Sequence, residues 1–259
     1  MLDALVVHPG SGADLEGRDP RDTLGLPGKE DAAELLGALL EELSSLQERL
    51  YAEGRRSILV ILQGVDASGK DGTIRRVFTG VNPQGCRVTS FKAPTPLELA
   101  HDFLWRVHAE CPERGMIGIF NRSHYEDVVT VSVLGLAPEE VWRQRPQRIV
   151  DFERLLNDEG TTLVKCFLHV SVEEQRERFA ERLSDPTMRW KHNSKDEETS
   201  RRFGEFMDAY GECLAATSKE WAPWYVIPAD RNWVRNLAVA TVLVEALRRV
   251  DPQFPAARP

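Results

Sequence analysis

An α/β fold with a mostly parallel, doubly wound sheet is predicted for this chain by three observations. Apolar runs of strand length alternate with helical segments from about residue 57 onward, a glycine–lysine loop closes the first of those runs, and no internal repeat breaks the alternation. Five strands are expected, at Ser57–Gln63, Arg87–Phe91, Met116–Phe120, Thr161–Val170 and Trp224–Pro228. Helices are expected from Asp71, over Pro96–Cys111, in stretches running to Leu156, over Glu173–Leu183 and over Trp233–Val250.

Ahead of this core, the first thirty residues are rich in Gly, Pro and Asp and read as an irregular arm without a core of its own. Leu36, Leu39, Leu40, Leu43, Leu46 and Leu50 then recur at helical spacing within Glu30–Gly54, opposite Glu41, Glu42, Glu48 and Arg49. That pattern is an amphipathic helix. It reads as a helix packed on the fold rather than a dimer seam, because the apolar repeat lasts only about three heptads. Residues 1–54 therefore form an arm and helix, and 55–259 the core. A polar insert near 184–205 lacks apolar periodicity and reads as a basic helical lid.

Composition narrows the function classes. The chain has 259 residues, 42% hydrophobic and 29% charged, which is ordinary for a globular protein. Its longest apolar stretches are too short to span a bilayer, and Met1–Gly10 has no basic region followed by an apolar block. Cys86, Cys111, Cys166 and Cys213 are scattered without a C-x-x-C pair, as in a reduced, cytoplasmic protein. The net charge of -8 argues against a general nucleic-acid binder, yet leaves room for a basic cleft that focuses an anionic ligand.

Residues 64–72, Gly-Val-Asp-Ala-Ser-Gly-Lys-Asp-Gly, contain G-x-x-x-x-G-K, the loop that cradles phosphates. Gly64 and Gly69 permit backbone angles that turn N–H groups inward, together with those of Ala67, Ser68 and Gly72, and the next helix points its positive end at the anion. Lys70 reaches back as a point charge. The bare pattern arises by chance in roughly one chain in ten of this length, so the preceding strand and following helix carry the assignment. Asp71 stands where Ser or Thr usually ligates Mg²⁺, and Asp66 lies inside the loop. Two acids beside a phosphate repel it unless a cation lies between, which favours Mg²⁺. Asp66 is taken for metal or acceptor chemistry, and Asp71 as mostly a helix cap.

The third strand runs into Asn121-Arg122-Ser123-His124-Tyr125-Glu126-Asp127, and strand C-termini line the ligand crevice of such a sheet. Arg122 is a natural clamp for a transferring phosphoryl group. Ser123 with Glu126 fits a capping box. His124 lies near the site, without separate support for phosphohistidine chemistry. His101 and His108, seven apart with Trp105 between, read as packing or surface residues rather than metal ligands. Arg178 and Arg182 share a helix face before the insert, where kinases place arginines that close over phosphates.

Taken with N-P-Q-G (82–85), S-F-K-A-P (90–94), D-F-L-W-R (102–106), G-I-F-N-R-S-H-Y-E-D-V (118–128) and P-W-Y-V-I-P-A-D (223–230), the loop resembles the polyphosphate kinase 2 family from roughly Leu50 to the C-terminus. The resemblance implies a P-loop kinase fold, inorganic polyphosphate and AMP, ADP or ATP as substrates, Mg²⁺ or Mn²⁺, and self-association. It places Asp66 and Lys70 in the phosphate loop and Asn121, Arg122 and Glu126 in a second motif. Arg178, Arg182 and Lys191 fall in the basic lid region, and Lys92 becomes a further phosphate contact. Asp71 after the lysine also occurs in such proteins.

Three rival readings remain. An ATP-using nucleoside monophosphate kinase would share the fold, and a non-catalytic nucleotide sensor would favour a degenerate loop, which this one is not. Single-strand nucleic-acid binding through the basic segment would need interleaved aromatics, and only Trp190 and Phe203 lie there.

Overall fold

The structure is a computed structural model that describes residues 2–187, 189 and 199–256. Six strands form one sheet in the order β1-β6-β5-β2-β4-β3. They are β1 (Val6–Val7), β2 (Ser57–Gln63), β3 (Cys86–Ser90), β4 (Ile117–Asn121), β5 (Thr161–His169) and β6 (Trp224–Pro228). All neighbours pair in parallel except β1, which runs antiparallel to β6. The principal helices are α1 (Lys29–Glu53), α2 (Lys70–Val77), α3 (Arg145–Asp158), α4 (Val172–Ser184), α5 (Phe203–Thr217) and α6 (Asn232–Val250).

β2 is the middle of the sheet, with all seven residues buried, because a parallel strand covered on both faces has no solvent side to make polar. β4 pairs on one side of it and β5 on the other. The connections therefore leave β2 in opposite directions, and this switch point is where an α/β sheet opens a crevice at its strand C-termini. Residues 64–69 turn there into α2. Lys165 and Phe167, two apart on β5, face the same layer: Lys165 meets Glu153 of α3, and the Phe167 ring lies tilted against Tyr210 of α5 at 4.6 Å. On the other side α6 buries a broad apolar stripe and packs against α1 and α2.

Three expectations change. A sixth strand is present, since Val6–Val7 pairs with Tyr225 and Trp224. A two-residue strand carries no periodicity, and the exposed edge of β6 decides its pairing. The arm is also less loose than its composition suggests, because Leu5, Val7, Ala13 and Leu15 are buried in the main core. Arg18 gathers it by donating to the carbonyls of Ala4, Val6 and Ala13 at 2.7, 2.8 and 3.0 Å. The helix expected over Pro96–Cys111 is two short turns, Pro96–Leu99 and Trp105–His108, and between them Asp102 Oδ1 accepts from the Leu104 N–H at 3.0 Å. His101 stacks on Trp105 and His108 meets Phe152 edge-on, so both histidines pack, as expected.

The leucine face of α1 is spent inside the fold. Leu36, Leu43, Leu46 and Leu50 are buried against the core, so that stripe is no free surface for association. Among the described residues no helix is long and apolar enough to cross a membrane.

His169 at the end of β5 gives the fold a pH dependence. Burial pushes its imidazole down to about 4, outweighing the upward pull of Asp230. A histidine with a depressed folded pKa contributes stability above its unfolded value of 6.5, and this is lost as pH falls toward 4. Between about pH 7.5 and about pH 5 this group alone is expected to cost about 2 kcal/mol. Urea unfolding of wild type and His169→Gln checks it: the wild type should lose that much more than the variant, and equal losses would mean the imidazole is charged in the fold.

Candidate active site

The site begins where β2 ends. Gly64 has φ 147°, and a Cβ there would lie 2.8 Å from the carbonyl oxygen of Leu168. Gly69 has φ 101° and forms the N-cap of α2. Ala67, between them, also has a left-handed backbone with φ 63°, which costs an alanine of order 1 kcal/mol and marks the loop as held by its surroundings. Two clamps do the holding: Gln175 Nε2 donates to the carbonyl of Asp66 at 3.0 Å, and Arg178 Nη1 to that of Ala67 at 2.9 Å.

Lys70 folds back over the loop. Its Nζ donates to the carbonyls of Gly64 and Val65 at 2.7 and 3.1 Å and to Ser68 Oγ at 3.4 Å. Burial lowers its pKa to about 8, with Arg122 pushing the same way, while Asp66, Glu126 and Asp71 oppose the shift. All five groups therefore share one electrostatic neighbourhood.

The end of β4 supplies the opposite wall. Arg122 has φ 62°, a left-handed conformation fixed by its own N–H donating to the carbonyl of Leu62 at 3.1 Å. That backbone turn sends its guanidinium across to an ion pair with Asp66. Burial works to lower the Arg122 pKa, but Asp66 and Glu126 outweigh it and hold the guanidinium above its ordinary value. Asn121 Nδ2 donates to Asp71 Oδ1 at 2.7 Å and ties the start of α2 to the end of β4. Asp71 is thus a bridge in the first turn rather than the cap, a role taken by Gly69.

The expected capping box is only half present. Ser123 caps the short turn His124–Asp127 by accepting from the Tyr125 N–H, whereas Glu126 turns toward the site. Glu126 accepts from Gln63 Nε2 at 3.0 Å and from Thr130 Oγ1 at 2.6 Å, and Gln63 also reaches Tyr210 of α5 at 3.3 Å. Behind this wall His124 and Tyr125 are fully buried and bonded to Glu153. His124 is a core residue.

The remaining candidates separate. Arg178 is pinned to the loop and, through Nη2, to the carbonyls of Ala229 and Asp230 at 2.7 and 3.0 Å, so it fastens the phosphate loop from behind. Arg182, one turn on, lies over the Phe179 ring at 5.5 Å. Lys92 is exposed, and its carbonyl accepts from the buried Arg106 at 2.8 Å. Lys191, with residues 188, 190 and 192–198 of the insert read as a lid, lies outside the described residues. Four residues that shape the site were missed: Gln63, Gln175, Tyr210 and Arg235. Only Gln63 gave a signal, as a polar side chain ending an otherwise apolar strand at the loop.

Asp66, Asp71 and Glu126 give the mouth a donor set of hard oxygens. Among the described residues there is no cluster of three or more side chains able to cage a metal. Mg²⁺ does not need one, since it is held by one or two carboxylates plus phosphate oxygens and water, and Mn²⁺ suits the same donors. One or two of these carboxylates suit such an ion.

A family model described as polyphosphate kinase 2 matches residues 27–255. The AMP/ADP-polyphosphate phosphotransferase of Meiothermus ruber is 52% identical over 250 residues, covering 96% of this chain and 94% of the relative. The ADP-polyphosphate phosphotransferase of Rhodopseudomonas palustris is 44% identical over 243 residues, covering 89% and 84%. The crystal structure of polyphosphate kinase 2 from Arthrobacter aurescens superposes with a TM-score of 0.95 at 41% identity, covering 99% of this chain and 92% of that one. Likeness at this identity and extent reaches beyond a shared fold: this chain belongs to the polyphosphate kinase 2 family.

Proposed function

We propose that this phosphotransferase moves the terminal phosphoryl group of inorganic polyphosphate to AMP and ADP, giving ADP and ATP, and that the transfer is reversible. The observation that carries the reading is the convergence of two cations, Lys70 and Arg122, and one carboxylate, Asp66, on the mouth of the phosphate loop. Relatives matching nearly the whole chain are named for polyphosphate with AMP or ADP, which favours this donor over ATP and a nucleoside monophosphate kinase.

Phosphoryl transfer asks a protein for in-line placement and for charge that is already in place. The backbone N–H groups of residues 64–70 and the positive end of α2 receive the phosphate chain. Lys70 leaves its carbonyl partners to bind the oxygens of the group, and Arg122 neutralises charge on the side of β4. Asp66 keeps Arg122 aimed while it is unliganded and orients the attacking nucleotide oxygen. Asp66 is also the residue that would hold Mg²⁺ or Mn²⁺, which would supply further neutralisation of the phosphate oxygens. Among the described residues, Arg182 and Lys92 are candidate cations for contacting a polyphosphate chain along its length. Self-association belongs to the same reading, and light scattering on the purified chain tests it.

The deciding assay mixes the protein with long-chain polyphosphate, Mg²⁺ and either AMP or ADP, without ATP, and follows the nucleotides by chromatography. ADP from AMP and ATP from ADP are expected. Product only when ATP is supplied as donor would overturn the donor assignment.

A further inference from the structure

Arg235, on the first turn of α6, is a buried cation without a carboxylate partner among the described residues. It is 3% exposed. Its acceptors are all neutral: Thr73 Oγ1 at 2.8 Å, Asn232 Oδ1 at 2.7 Å and Asn236 Oδ1 at 3.4 Å. Burying an unpaired guanidinium is costly, and burial brings its pKa down to about 9. Two other charges act on it: Arg178, which opposes it, and Glu174, which favours it but is already held by Arg178 at 2.8 Å.

Its position explains why the cost is tolerated. The guanidinium lies against the backbone of Gly69, so close that a Cβ on Gly69 would collide with it, and one on Gly72 would come within 3.3 Å of Nη2. Thr73 relays the contact: its hydroxyl accepts from Arg235 Nε and donates to the carbonyl of Gly69 at 3.1 Å. Arg235 thus sits on the rear of the peptide preceding Lys70, at the N-terminal end of α2. A cation at that end of a helix is unfavourable by itself. An anion on the front of the same loop reverses the sign.

We infer that Arg235 is a positioning residue of the phosphate loop, fixing the Gly69 peptide and adding a standing positive charge behind it that is compensated only when a polyphosphate chain occupies the front. The inference rests on the proposed use of polyphosphate. It also gives the glycines of G-K-D-G a second reason, since Gly69 and Gly72 are where the guanidinium needs room.

Asn232→Asp tests it by placing a carboxylate on the guanidinium with almost no change of shape. Affinity for inorganic polyphosphate, measured by titration calorimetry, is expected to fall about tenfold, the scale of one partly buried charge. The KM for the nucleotide should hold within about twofold. Thermal stability is expected to rise, because the buried cation gains a counterion. A purely structural arginine predicts the rise in stability with unchanged affinity. The loss should persist from low to high salt, since buried charges are poorly screened. Arg235→Gln should weaken binding to a similar extent, and if that variant does not fold, Asn232→Asp still decides. Unchanged affinity in Asn232→Asp, beside wild-type protein that binds polyphosphate, overturns this inference alone. Wild-type protein that binds no polyphosphate overturns the functional reading together with it.

Discussion

Lys70→Met is expected to lower turnover by roughly 10²–10³-fold, the loss typical of removing one preorganised donor from a developing negative charge. Methionine keeps much of the buried length of the side chain but none of the charge. The carbonyls of Gly64 and Val65 lose their donor, so stability should fall by about 1–3 kcal/mol and the fold should persist. Single-turnover kinetics with circular dichroism separates the two effects. A variant with wild-type turnover would remove Lys70 from the chemistry.

The same residue carries a pH signature. Its pKa in the free protein lies near 8, chiefly through burial. A bound phosphate favours the ammonium, so binding takes up a proton above that pH. Polyphosphate affinity should be level below about pH 7.5 and then weaken by up to about tenfold per unit above pH 8. In Lys70→Met this dependence should vanish. A flat wild-type profile would mean the ammonium stays charged throughout.

The second large effect is on stability. Glu153 and Lys165 are both fully buried, and Lys165 Nζ donates to Glu153 Oε2 at 2.7 Å, to the Thr217 carbonyl at 2.9 Å and to Tyr125 OH at 3.2 Å. Burial pushes the Glu153 carboxyl up, but Lys165 and His124 outweigh it and hold it below the ordinary carboxylate range. Lys165→Met strands that charge and is expected to cost about 3–5 kcal/mol in denaturant unfolding. Pairing it with Glu153→Met should recover much of the loss, because two well-packed apolar groups replace a desolvated ion pair at little net cost. If the double variant is no more stable than the single one, the pair is not coupled. Tyr125 is part of this network and follows Arg122 by three residues, so the single variant should also disturb the β4 wall of the site.

Much of the core was legible from local physics. β2 and β6 occupy the predicted ranges because a buried parallel strand must be an unbroken apolar run, and α6 follows from its apolar stripe. The phosphate loop was legible because its backbone needs glycine at fixed spacing, and Arg122 because strand ends face the crevice. Other features arise between segments far apart in sequence. β1 exists because β6 has an open edge, and Arg178 and Gln175 clamp the loop because α4 lands behind it. Arg235, about 165 residues beyond Gly69, sits under that glycine only because α6 packs on α2. A hydrogen bond between distant positions leaves no period or spacing to read. The sequence alone therefore determined the central strands, the long helices, the loop and the family, since each rests on neighbouring residues. Only the tertiary structure decided which arginines turn to the mouth of the loop and which hold it from behind, because that depends on where packed elements bring their side chains.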